Sequence, residues 1–346
     1  MKYLIAIFTI SVLFSCSKDA LGPQCTNCTE EEIAPEFSDV LIGNEGTFNW
    51  NNASVSLYKP KIQSVAQNIF YQENEIALGD VVQSLIQIND KAYVVVNNSN
   101  KVEVVNINSF SAIATITGFT SPRYFLPINN DKAYVTDLYS NSIQIVDLNS
   151  NTISGSIALS GWTEELLLHN DTVYVCDKTN DNILIIDPFN NTLVDSLKVG
   201  ESPSGIVIDQ NNMMWIMCSG GLNSTIPELI KFNPQTRTIE NTFTFSSISE
   251  SPGSLKINHT KDQLYFLNTN VYRMNINDTT LPASSFITNN NNTFYGLGID
   301  PKNGDVYVSD AIDYVQNGVV FRYSSTGNLI HQFNSGIIPG SFLFIE

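Results

Sequence analysis

The sequence predicts an all-β chain folded as a seven-bladed β-propeller of four-stranded blades, closed by the C-terminal strand completing the first blade. Three observations predict it. A unit of about 40 residues recurs along the chain. Each unit carries a short strand of apolar-aromatic-apolar form between turn-rich segments. The last residues of the chain match the openings of earlier units.

The recurring strand reads Ala92-Tyr93-Val94, Ala133-Tyr134-Val135, Val173-Tyr174-Val175, Met214-Trp215-Ile216, Leu264-Tyr265-Phe266 and Val306-Tyr307-Val308. From Tyr93 these anchors advance by 41, 40, 41, 50 and 42 residues, and a seventh, Val40-Leu41-Ile42, lies 52 before Tyr93. An apolar strand and a turn rich in Asn, Asp or Gly precede each anchor, as in Leu85 to Asp90 and Leu297 to Gly304. A third strand follows, clearest in Val102–Asn106, Ile143–Asp147 and Ile183–Asp187, then a tight turn and a fourth, such as Leu193–Val199. The final segment, Pro339 to Ile345, repeats the first-strand openings Pro122-Arg123-Tyr124-Phe125, Pro203-Ser204-Gly205-Ile206 and Pro252-Gly253-Ser254-Leu255. The C-terminus is therefore expected to supply the innermost strand of blade one, which removes an exposed sheet edge. A β-sandwich or a β-helix is the competing architecture, and neither calls for seven units of this length.

Residues 1–15 carry Lys2 and then an apolar run to Phe14, too short to span a bilayer, which reads as a signal peptide. Leu13-Phe14-Ser15-Cys16 places a small residue before a cysteine, as lipoprotein processing requires, although Phe14 is bulky for its position. Cys16 is the expected lipidation site, and residues 16–36, polar, acidic and proline-bearing, the expected tether. The alternative is a cleaved signal peptide with a chance cysteine. The propeller is expected to occupy residues 37–346.

The chain carries 34 Asp and Glu against 17 Lys and Arg, a formal charge of −17, which repels phosphate backbones and argues against nucleic-acid partners. Besides Cys16 there are four cysteines. Cys25 and Cys28 lie in the tether with neither a second pair nor a following His, and read as a local disulfide in preference to a redox or zinc motif. Cys176 and Cys218 fall in predicted strands and read as inert packing. No cofactor motif is evident.

Loops joining second to third strands, and those joining successive blades, share one face of a propeller. The long spacings fall there: Gly43–Ala53, Cys218–Glu228, Ser246–Pro252 and Asp310–Gly318. Insertions on one face suggest a binding face. It is expected to hold Asn44, Glu45, Phe48, Trp50, Arg123, Tyr124, Tyr139, Trp162, Glu164, Phe294, Tyr295, Asp313 and Tyr314. Aromatics with a few polar groups suit a large, partly apolar, planar ligand. Loop packing explains any one of them alone; their joint bias to one face carries the reading.

Catalysis is not expected. His169 and His259 follow first strands on the opposite side, and His331 lies in an outer strand, so no His-based triad or zinc site converges. A calcium-dependent lactonase-like site could be drawn from Glu45, Glu164, Asp137, Asp177 and Asp310, but Asp at strand ends is more often turn chemistry.

Two stretches carry a resemblance. Val40-Leu-Ile-Gly-Asn-Glu-Gly46, then Asn51-Asn-Ala-Ser-Val-Ser-Leu-Tyr58, Leu78-Gly-Asp80 and Gln83-Ser84, resemble the opening of YncE-like propeller lipoproteins of Bacteroidota. Asp310-Ala-Ile-Asp-Tyr-Val-Gln-Asn-Gly318, Gly327 and Gly336-Ile-Ile-Pro-Gly340 with Phe342 and Phe344 resemble that family's C-terminal signature. Ser17-Lys18-Asp19 is similar to the signal that sends such lipoproteins to the outer face of the outer membrane. The resemblance implies a surface lipoprotein that captures cobalamin, or a similar nutrient, and hands it to a TonB-dependent outer-membrane transporter. It assigns no ligand contact residue by residue. A protein- or glycan-interaction scaffold and a metal-dependent lactonase or lyase are the alternatives.

Overall fold

Every anchor sits in the second strand of an antiparallel sheet: Val40–Asn44, Lys91–Val96, Lys132–Asp137, Thr172–Asp177, Met214–Cys218, Gln263–Asn268 and Val306–Asp310. This is seen in a computed structural model that describes residues 37–345. The expected leader, the Cys16 lipidation site, the tether and the Cys25–Cys28 pair lie outside the described residues. Seven sheets follow one another in chain order.

The ring closes as expected. Pro339–Phe344 pairs antiparallel with Val40–Asn44, setting Val40 against Phe344, Leu41 against Leu343 and Ile42 against Phe342. The first blade thus takes its innermost strand from one terminus and its other three from the opposite one.

Alternation of side chains along each strand explains why the ring is stable. In Lys91–Val96, Ala92, Val94 and Val96 pack toward blade one while Tyr93 and Val95 pack toward blade three. Both faces of each sheet are therefore covered, and the strands read as apolar on both faces. Seven buried clusters result, one at each junction between neighbouring blades. Fully burying one such side chain contributes about 1.5–3 kcal/mol. Cys176 and Cys218 belong to the cluster between blades four and five, as free thiols that burial pushes up in pKa.

The turns that join third to fourth strands explain the recurring Asp and Asn. Asp147 accepts from the backbone N–H of Asn149 and Ser150, at 2.8 and 2.9 Å. Asn106, Asp187 and Asn233 do the same one blade apart. Each is an Asx turn, followed by a left-handed residue such as Asn151 or Asn191.

The sixth blade departs from the prediction. It has three strands, and in place of a fourth a single bridge joins Val271 to Ile287, with hydrogen bonds of 3.0 and 3.1 Å. Leu281, in the connection that follows the third strand, packs against the cluster between blades five and six. A short helix, Ile69–Asn74, also enters between the first two blades and buries Phe70. No helix among the described residues is long and apolar enough to cross a membrane.

Candidate functional site: the loop-face mouth of the central channel

Innermost strands of a propeller line its axis, and here one register position governs the mouth. The residue three before the partner of each anchor is Gly340, Gln83, Arg123, Glu164, Ser204, Gly253 and Tyr295, going round from blade one to blade seven. All seven line one cavity of about 620 Å3. Below this ring the wall is mixed, with Leu85, Ile257, Leu297, Ile299, Phe342 and Phe344 beside the polar Glu165 and Lys256.

The ring is uneven. Arg123 stands between Gln83 and Glu164 and bonds to both: Nε donates to Glu164 Oε2 at 3.1 Å, Nη2 donates to Oε1 at 2.9 Å, and Nη1 donates to Gln83 Oε1. This fork is the favoured geometry for an arginine and a carboxylate. The guanidinium also lies 5.8 Å from the Trp162 ring centre and 5.9 Å from that of Tyr124. Burial opposes the charge on Arg123, but Glu164, Tyr124 and Glu45 together outweigh it and raise the pKa. Burial likewise pushes the Glu164 carboxyl up, with Arg123 and Lys178 pulling against it.

Gly340 leaves a gap at blade one, and Glu45 fills it from the loop after the second strand. A Cβ on Gly340 would stand 2.9 Å from Glu45 Oε1. Tyr295 Oη donates to that same oxygen at 2.8 Å, and Tyr314 packs edge-on to Tyr295 with ring centres 5.9 Å apart. Burial raises the Glu45 pKa, against the Tyr295 hydrogen bond and the field of Arg123. Burial also raises that of Tyr295. The Glu45 backbone is clamped: its N–H donates to Ile338 O at 2.9 Å, and its C=O accepts from Val81 N–H at 3.0 Å. Both clamping residues are β-branched yet left-handed, at φ 51° and 62°. Such strain costs on the order of 1–3 kcal/mol per residue and collects at functional sites.

Blades five and six present only Ser204 and Gly253, and a Cβ on Gly253 would meet nothing within 4 Å. That sector is open. Beneath it Lys256 pairs with Glu165 at 3.2 Å, joining blades six and four, while Glu165 Oε2 accepts from Ile206 N–H.

The structure therefore brings Glu45, Arg123, Tyr124, Glu164 and Tyr295 together in the cavity wall, with Trp162 beside Arg123 and Tyr314 edge-on to Tyr295. The remaining residues expected on this face lie outside the cavity wall. Asn44 is fully buried and donates to Ser54 and Ser56 while accepting from Ser335 and Gly336, so it is a brace between blades one and seven. Phe48, Trp50 and Tyr139 stand on the loops, 63%, 73% and 69% exposed, outside the cavity wall. Phe294 turns away to pack on Phe321. Asp313 caps its own turn, accepting from Val315 and Gln316 N–H.

The carboxylates of the calcium alternative are likewise engaged: Asp137 with Thr120 and Ser121 N–H, Asp177 with Asn180, Asp310 with Thr293 and Ile312 N–H. Among the described residues no three His, Cys, Asp or Glu side chains group as a metal site. Sequence reasoning missed Gln83, Ser204, Gly253, Lys178 and the Glu165–Lys256 pair. The first three occupy the same register position as Arg123 and Glu164, and that periodic position was the available signal.

Fold and site together define a seven-bladed β-propeller whose central channel opens through a polar ring on its long-loop face. The chain belongs to the DUF5074 family, described as a domain of unknown function, whose profile matches residues 39–344. No curated protein matches the sequence. Among solved structures it is similar to a quinonprotein alcohol dehydrogenase-like protein of Bacteroides thetaiotaomicron, with TM-score 0.69 and 14% identity over 89% of this chain and 78% of that one. A protein from Lactobacillus plantarum gives 0.70 and 14%, over 90% and 100%. The periplasmic gluconolactonase of Pseudomonas aeruginosa gives 0.66 and 11%, over 90% and 99%. At these identities the likeness is one of fold.

Proposed function

We propose that this protein is a surface-displayed binding protein that captures cobalamin, or a nutrient of similar size and polarity, for transfer to a TonB-dependent outer-membrane transporter. The observation that carries the reading is the mouth itself, where a hydrogen-bonded polar ring opens over a channel of mixed apolar and polar lining. Exposed apolar residues surround it on the loops, including Phe48, Trp50, Tyr139, Leu222, Tyr314 and Val315. A ligand larger than the channel would rest on this rim and send one part inward. The corrin of cobalamin, a broad plate edged with amides, suits such a seat, and the resemblance of the first and last blades to YncE-like lipoproteins points the same way.

The position of the termini supports display. Ser38 bonds to Asp300 and Phe37 packs on Arg322, both at the end of the ring away from the long loops. The described chain thus enters the propeller at the end opposite the mouth.

The gluconolactonase named among the structural neighbours raises a hydrolytic alternative. We favour binding because Glu164 is tied to Arg123 by three hydrogen bonds, and the carboxylates that could gather a metal are engaged in turns. Isothermal titration of the purified protein with cyanocobalamin tests the reading. Saturable heat at one site per chain, abolished by Gly253→Trp, is expected. No heat from the parent protein would overturn the nutrient assignment.

A further inference from the structure

We propose that the corner formed by Arg123, Lys178 and Trp162 seats an oxyanion, a carboxylate or phosphate carried by the channel ligand, whose remainder lies over the open sector at Ser204 and Gly253. The inference deepens the binding reading and rests on the channel mouth being a ligand site.

Lys178 is the first residue after the second strand of blade four, and its N–H donates to Trp162 O at 2.8 Å. Its side chain turns into the cavity wall, with the ammonium 4.2 Å from the Trp162 ring centre. No carboxylate among the described residues lies within ion-pair reach of that ammonium. The nearby acid, Glu164, already receives Nε and Nη2 of Arg123 on its two oxygens. The indole N–H of Trp162 is buried and directed at Glu164, though it closes no hydrogen bond of ordinary geometry to it. Two cations and an indole donor thus converge on one occupied carboxylate. The corner holds more donors than acceptors.

A half-buried ammonium lying only on an aromatic face is under-compensated. An arriving oxyanion would supply the acceptor that Lys178 lacks, in a partly water-excluded setting where charge-assisted bonds are strongest. The rest of the ring tells where the ligand's body goes. Gln83, Arg123 and Glu164 fill blades two to four, and Tyr295 with Glu45 fills blades seven and one, so room remains only over blades five and six. Glu45, with no cation in contact, faces that space as an acceptor for hydroxyl or amide donors on the same ligand.

Tryptophan emission reads the corner directly. Benzoate and phenyl phosphate serve as carboxylate and phosphate probes, with benzamide and phenol as their uncharged counterparts, and Trp162→Phe identifies the reporting ring. A saturable change with one or both anions, absent with the neutral pair, is expected. The anion that responds identifies the oxyanion's chemistry. Lys178→Gln should weaken it by about tenfold, the worth of a charge-assisted hydrogen bond, and Lys178→Arg should restore most of it. Gly253→Trp should suppress the response by filling the open sector. Equal responses to charged and neutral probes, or no loss in Lys178→Gln at an unchanged melting temperature, would overturn the proposal. Oxyanion binding without cobalamin binding would keep this site and discard the nutrient's identity. Cobalamin binding with no oxyanion response would do the reverse.

Discussion

At the scale of single residues the channel mouth gathers ionisable groups from four blades and holds them largely out of water. Glu45 is the clearest case, because its one hydrogen-bond donor is a neutral phenol and no cation touches it. Its folded-state pKa is raised, chiefly by burial, above the ordinary 4.5. A carboxyl raised in this way favours the folded state only while it is protonated, so its contribution is present below the unfolded value and is lost as pH rises through the folded one. Glu45→Gln should therefore be more stable than the parent at pH 7, and the difference should vanish below about pH 4.5. Denaturant melts across that range check it. Glu45 was legible in the sequence because it follows a second strand at a long loop. Gln83, Ser204 and Gly253 were not, since their residue types carry no chemistry by themselves and acquire meaning only from sharing a register with Arg123.

Elements were read more easily than residues, for a physical reason. A strand buried on both faces needs several consecutive apolar residues, and the aromatic at each anchor fills the space between blades, so Tyr93, Tyr134 and Trp215 mark their strands unambiguously. The fourth strand of blade six had no such obligation. Outer strands bury little, and Asp278-Thr279-Thr280-Leu281-Pro282 lacks alternation and carries a proline, so the chain there packs as a loop. The junction of blades one and seven adds a buried polar brace to its apolar cluster. Asn44 makes hydrogen bonds to the third strand of its own blade and to Ser335 and Gly336 of the last outer strand. Asn44→Ala should leave several of these groups unpaired and cost about 3 kcal/mol, read as a lower denaturation midpoint. Its assignment to the ligand face failed because an Asn at a strand end looks the same in sequence whether it points outward or across a junction.

For the whole molecule the ring separates two ends. The first described residues and the closing strand's C-terminal residue meet at one end, where Ile345 N–H donates to Asp39 O at 2.8 Å. The long loops and the polar ring lie at the other. A propeller needs no such division for stability, since its seven inter-blade clusters are alike in kind. The division leaves the polar ring and long loops clear of the described chain's ends. Hydrogen–deuterium exchange of the protein with and without cyanocobalamin tests this most directly. Protection confined to the loops at 45–53, 160–164, 178–181, 219–227 and 311–316 is the predicted result. Protection on the turns at the opposite end, or none anywhere, would contradict it.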